Sequence, residues 1–207
     1  GTDTLAKLSL LPSDIIIDNQ IWKIRDQVRI KFDNNRTLIE GFELSSDKQL
    51  IAVNGSISSA EADQLKIVIG DLKMTSLSQL TKGFGVNLNG TMNGTANLSA
   101  LLGTPKIQSD VTIDSLKYNQ TDIGDLKIAS TYNNFTSKID VDAIIFKNGG
   151  KTMDVKGNVD LKSDQNNLDL NVILDKTELI LFEPFVKTLV SKLKGQISTD
   201  LKVTGKF

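Results

Sequence analysis

The side chains nearest to a reactive pair are two carboxylates, Asp140 and Asp142, which alternate with Ile139, Val141 and Ala143. Residues two apart on an extended strand point to the same side. Such a pair would suit a divalent cation or the two carboxyl groups of a glycosidase. A solvated strand face has the same spacing, and the alternation with aliphatic neighbours favours that reading. Asp26 is different, because it falls on the apolar side of the run Trp22, Ile24, Val28, Ile30, Phe32. It is expected to mark a bulge or register shift, with a polar contact at a groove mouth as the alternative. Asn-x-Ser/Thr sequons occur at Asn54, Asn89, Asn93 and Asn134. They would carry glycans in a eukaryotic secreted protein; elsewhere they follow from wet strand faces rich in Asn and Thr.

Other chemistries are excluded by composition. The chain has no Cys and no His, so disulfides, thiolate nucleophiles, structural zinc and imidazole catalysis are unavailable to it. No catalytic residue, metal ligand or cofactor site is expected, and no enzymatic activity. Lys and Arg number 24 against 25 Asp and Glu, a net charge of -1. Nucleic acid is therefore not an expected partner, since phosphate binding needs a clustered basic surplus. No apolar run approaches the ~18–20 residues of a membrane-spanning helix. The opening Gly1-Thr2-Asp3 has no signal peptide and reads as the start of an excised piece.

What must position any site here is β-structure. Apolar and polar residues alternate strictly in run after run, the period of a strand with one dry and one wet side. Val86, Leu88, Gly90, Met92, Gly94, Ala96 and Leu98 alternate with Asn, Thr and Ser. Met153, Val155, Gly157, Val159 and Leu161 alternate with Asp, Lys and Asn. Ile51, Val53, Gly55 and Ile57 form another run, as do Leu65, Ile67 and Ile69. The remaining runs are Ile107 to Ile113, Gly124 to Tyr132, Ile139 to Ile145, Leu168 to Leu174 and Ile197 to Val203. Spacers such as Asp33-Asn34-Asn35 and Asn148-Gly149-Gly150 are short and turn-forming, which predicts an antiparallel meander.

Two segments break the alternation. Ser76 to Lys82 predicts a short helix with Thr75 as N-cap and a stop at Gly83. Glu183 to Lys194 predicts a longer one, with Pro184 in its first turn, an apolar stripe of Phe185, Val186, Leu189, Val190 and Leu193, and a stop at Gly195. These segments reveal a repeat. Val53-Asn54-Gly55-Ser56-Ile57, an alternating strand, a helical segment and a Gly-led strand recur from Val155-Lys156-Gly157-Asn158-Val159 onward, slightly over 100 residues later. The expected division is an N-terminal β-segment at 1–52, one repeat at 53–154 and an incomplete repeat at 155–207.

That order, together with Gly103-Thr104-Pro105-Lys106-Ile107, Ile123-Gly124-Asp125-Leu126 and Phe146-Lys147-Asn148-Gly149-Gly150-Lys151, resembles the C-terminal region of the TamB family from about Ile30 onward. The resemblance implies an all-β fold, a long antiparallel sheet curved into an open hydrophobic groove with one or two short helices. It implies a periplasmic location, anchored to the inner membrane through a segment outside this piece, and an outer-membrane barrel of the Omp85 type (TamA-like) as partner of the full-length protein. Phospholipid or another acyl-chain lipid is the implied cargo, with assistance to outer-membrane protein assembly as the alternative role. The expected groove lining is Ile51, Val53, Leu65, Ile67, Val86, Leu88, Met92, Leu98, Val111, Ile113, Ile128, Val141, Met153, Val155, Val159, Leu170, Val172, Leu201 and Val203. Phe185, Leu189 and Leu193 are expected to cap the groove from the helix. Alternation alone leaves room for an ordinary sandwich or closed barrel. The helix has a second reading as a lipid-contacting gate, with Lys187, Lys192 and Lys194 toward head groups.

Overall fold

A computed structural model of the chain describes residues 6–17, 19–77, 87–133, 136–160, 163, 167–186 and 192–206. The strands are β1 (Ala6–Leu10), β2 (Ser13–Ile17), β3 (Gln20–Ile24), β4 (Val28–Phe32), β5 (Arg36–Ser46), β6 (Gln49–Ser58) and β7 (Gln64–Lys73). They continue as β8 (Leu88–Ser99), β9 (Lys106–Tyr118), β10 (Thr121–Asn133), β11 (Lys138–Lys147), β12 (Gly150–Asp160), β13 (Leu168–Glu178) and β14 (Gln196–Gly205). All 14 belong to one sheet. From β4 to β14 each strand pairs with the next in sequence, always antiparallel. The architecture is a long antiparallel sheet curved into an open hydrophobic groove, not a sandwich or a closed barrel.

Turn chemistry explains the meander. Asn119-Gln120 and Asn148-Gly149 have both residues at positive φ, the two-residue geometry whose twist matches that of the flanking strands. The N-terminal run Trp22 to Phe32 is divided into β3 and β4, both antiparallel to β5, with the exposed Asp26 between them. Ile24 pairs with Leu44 and Arg29 with Glu40, so five steps along this run oppose four along β5. The register shift expected at Asp26 is thus present, and its carboxylate stays in water.

The described parts of the two helical segments differ from the expected bounds. A 3₁₀ turn starts at Met74, ahead of the expected Ser76, and runs to Leu77; residues 78–86 lie outside the described set. A second 3₁₀ turn, Leu179–Phe182, leads into one helical turn, Glu183–Val186. Lys192–Lys194, expected to end that helix, are not helical, and residues 187–191 lie outside the described set.

Bulges recur in the strands, and each keeps the apolar side continuous. β5 jumps from Ile39 to Phe42 while β6 advances only from Gly55 to Val53. The same extra residue lies between Ile69 and Leu72 in β7, between Ile113 and Leu116 in β9, and between Leu174 and Thr177 in β13. The residue just before the pairing resumes has positive φ each time: Gly41, Asp71, Ser115 and Lys176, at φ 75, 46, 52 and 48. Its backbone N–H, freed from the ladder, donates to a side-chain oxygen of the following strand. The acceptors are Asn54 Oδ1 (3.1 Å), Asn93 Oδ1 (2.8 Å), Asp125 Oδ1 (2.8 Å) and Ser198 Oγ (2.9 Å) respectively. A bulge bends its strand and increases local twist, so a series of them curves the sheet.

Gly55 and Gly157 occupy matching places in the sequence repeat and have the same structural cause. Their φ values are 122 and 152, and a Cβ would lie 2.0 Å from the Gln64 carbonyl oxygen and 2.1 Å from that of Asp169. The space at these glycines is taken by the backbone of the next strand, not left open to a ligand.

Two predictions follow from this geometry. Gly157→Ala is expected to cost about 2–4 kcal/mol in urea denaturation. Gly70→Ala, whose Cβ would meet Leu50 Cβ at an ordinary 3.4 Å, stays within about 1 kcal/mol. Asn93→Ala removes the acceptor of the Asp71 N–H and costs about 0.5–1.5 kcal/mol, with hydrogen exchange at Asp71 accelerated while Gly55 and its neighbours stay protected.

Candidate functional site

Register turns the separate apolar runs into lateral rows. One row runs Leu8, Ile30, Ile39, Gly55, Leu65, Leu98, Ile107 and, past the end of the β9–β10 pairing at Gln108 and Thr131, resumes as Tyr132, Ile139, Val159, Leu168, Gly205. The next runs Phe42, Val53, Ile67, Ala96, Ser109, Ser130, Val141, Gly157, Leu170, Val203. The third runs Leu44, Ile51, Ile69, Gly94, Val111, Ile128, Ala143, Val155, Val172, Leu201. The fourth, beyond the β7 bulge, runs Leu72, Met92, Ile113, Leu126, Ile145, Met153, Leu174. Every expected lining residue within the described set thus lies on the same side of one sheet. Leu88, opposite Tyr118, packs at the margin of the buried cluster, and Val86 lies outside the described residues.

The rows are not equally covered. At the end reached by the fourth row, Met74, Ile113, Leu116, Tyr118, Ile123 and Ile145 form a buried cluster, with Leu77, Leu88, Met92, Leu126, Met153, Ile180 and Leu181 packed on it. The residues that cover this end are therefore Met74, Leu77, Ile180 and Leu181, none of them in the expected cap. Leu193 is half-buried and lines a cavity of about 430 Å³ with Ile180, Glu183 and Lys192. Of the Phe185 side chain and of Leu189 nothing follows, because both lie outside the described set. The three remaining rows are mostly half-buried, with Leu65 and Val172 fully so and Leu201 and Val203 exposed on the last strand. Among the described residues, no second layer is packed across these rows.

Polar groups at the packed end are matched. Gln196 Nε2 donates to Glu178 at 3.0 Å and Lys147 Nζ to the same carboxylate at 3.2 Å. The Gln196 hydrogen bond, then Lys147, hold the Glu178 carboxyl below its ordinary 4.5. The phenol of Tyr118 is pushed above 10.0 by burial, helped by the nearby Glu183 carboxylate. Gln49, almost wholly buried, accepts from the Lys73 N–H at 2.9 Å and from Ser76 Oγ at 2.9 Å, tying the first 3₁₀ turn to β6.

The opposite side of the sheet is more polar, although Val68, Ile144 and Ile173 lie on it. Asp140 and Asp142 lie there, exposed, and Asp142 is ion-paired to Lys156 on β12 at 3.4 Å. Both groups of that pair are about half exposed, so it contributes little to stability. A cavity of about 480 Å³ is lined by Asn97, Gln108, Thr131 and Asp140 of this side and by Leu98, Ile107 and Tyr132 of the first row. Sequence reasoning missed the role of two sequon asparagines. Asn54 and Asn93 are the acceptors at bulges, and the sign of such a bulge is an apolar alternation that jumps by three, as from Ile69 to Leu72.

The depressed Glu178 pKa has a definite sign. The group contributes stability above its unfolded value near 4.5, and that contribution is lost as pH falls through the lower folded value. Thermal unfolding of Glu178→Gln should show a flatter acid limb below about pH 4.5 than the parent, with the two converging at low pH. Compared with protein-family models, with curated proteins and with solved structures, the chain matches none.

Proposed function

We propose that this chain is a segment of a TamB-type envelope protein whose aliphatic trough carries or shields the acyl chains of phospholipid between inner and outer membranes. The observation that carries the reading is the set of three aliphatic rows across β6 to β14, left half-exposed on an open sheet. An apolar sheet face has to be covered by packing, closure or a ligand. Acyl chains fit such a surface, since their burial contributes roughly 0.8 kcal/mol per CH₂. Fixed charges are absent from the three rows between β6 and β14, so a chain can shift along them without losing an ion pair. A periplasmic location and an Omp85-type barrel as partner of the full-length protein belong to the same proposal.

A second reading, a module that guides outer-membrane strands, has its own support. Among the described residues β14 pairs with β13 alone, and Leu201 and Val203 are 40% and 37% exposed. An unpaired edge is a template for another strand.

Native mass spectrometry of the purified chain, incubated with phosphatidylethanolamine and phosphatidylglycerol micelles, tests the first reading. Phospholipid adducts are expected on the parent chain and are expected to be lost on Ile67→Asp plus Ile128→Asp, two trough substitutions. Lys66→Asp plus Lys127→Asp, on the opposite side, should retain them. Absence of adducts on the parent would remove the proposal.

A further inference from the structure

In the middle of the trough two serines interrupt the second row, beside Tyr132 of the first. Ser109 on β9 and Ser130 on β10 are direct cross-strand partners, and their Oγ atoms lie 2.7 Å apart. Both point to the trough, in line with Ile107, Val111 and Ile113 on one strand and Leu126, Ile128 and Tyr132 on the other. Their row neighbours are Ala96 and Val141, the first short enough to leave the hydroxyls reachable, and both serines are only half-buried.

The proton count is the informative point. Two hydroxyls carry two protons, and the mutual bond uses one of them. Neither hydroxyl makes another hydrogen bond to a described residue, so one O–H remains to donate. Packing alone does not call for this pair, because aliphatic residues fill the corresponding positions at Ile67, Val141 and Leu170. A neutral hydroxyl donor in a largely aliphatic surface suits a weak, uncharged acceptor. A phosphate or carboxylate would lose most of its hydration there with no cation to offset the loss.

Resting on the acyl-chain reading above, we propose that the Ser109–Ser130 pair is the polar binding position of the trough, donating one hydrogen bond to a neutral carbonyl oxygen of the kind found in a glycerol ester. The trough then prefers esterified acyl chains over plain hydrocarbon and holds the ester near the middle of the sheet. Acyl chains extend from there along Val111, Ile128 and their neighbours. One neutral hydrogen bond is modest enough to break as cargo moves.

Two fluorescent rods of similar length test this in the whole chain: cis-parinaric acid methyl ester, which has an ester carbonyl, and diphenylhexatriene, which has no oxygen. Ser109→Ala with Ser130→Ala should weaken the ester by about 5–10-fold and leave diphenylhexatriene within about two-fold. Ser130→Thr, which keeps a hydroxyl, should restore ester binding. Equal weakening of both probes, or of neither, overturns the assignment while the acyl-chain reading stands. If neither probe binds the parent chain, the acyl-chain reading falls and this inference falls with it.

Discussion

The structure depends on keeping one side of every long strand apolar across a bend. An extra residue in a strand would normally flip all later side chains to the other side. Here the flip is already compensated in the sequence. After Ile69 the next trough residue is Leu72, after Ile113 it is Leu116, and after Ile39 it is Phe42. The residue before each resumption takes a positive φ, and a neighbouring Asn, Asp or Ser accepts its N–H. Bend, register and hydrogen-bond satisfaction are thus one device, repeated in β5, β7, β9 and β13.

That device also divides the apolar side into two environments. In β7 and β13 the bulge comes just before a 3₁₀ turn, and the turns supply Met74, Leu77, Ile180 and Leu181 to a buried cluster. The sheet is therefore anchored at one end by an ordinary core. Away from it the strands carry Val, Ile and Leu whose sides remain half-open to solvent. A sandwich spends such a surface on a second sheet. This sheet has none over it among the described residues, and its free apolar area is the basis for reading it as a lipid-bearing trough.

Much of the fold was legible in the chain itself. Strict alternation located β6 to β14, and Asn-Gly at Asn148-Gly149 marked a hairpin turn of the expected kind. The Gly55 and Gly157 correspondence was visible as a repeat, and its cause is tertiary. The neighbouring carbonyls of Gln64 and Asp169, not a ligand, fill that space. What remained illegible depended on tertiary neighbours. The register shift at Asp26 was anticipated, whereas the division of that run into two strands sharing β5 was not. The 3₁₀ turns Met74–Leu77 and Leu179–Phe182 dock on the Tyr118 cluster, which local propensity does not report. The sidedness of the lining residues could be read from alternation, whereas their division into packed and half-open rows could not.

The central claim is that lipid lies against one side of this sheet and not the other. Photo-crosslinking in cells with benzoylphenylalanine at adjacent positions tests it most directly, comparing Val155 with Lys156 and Leu98 with Asn97. Each pair shares a strand and differs in side. The account predicts phospholipid captured at Val155 and Leu98 and essentially none at Lys156 and Asn97. Equal capture from both sides, or no lipid at any of the four, would contradict it.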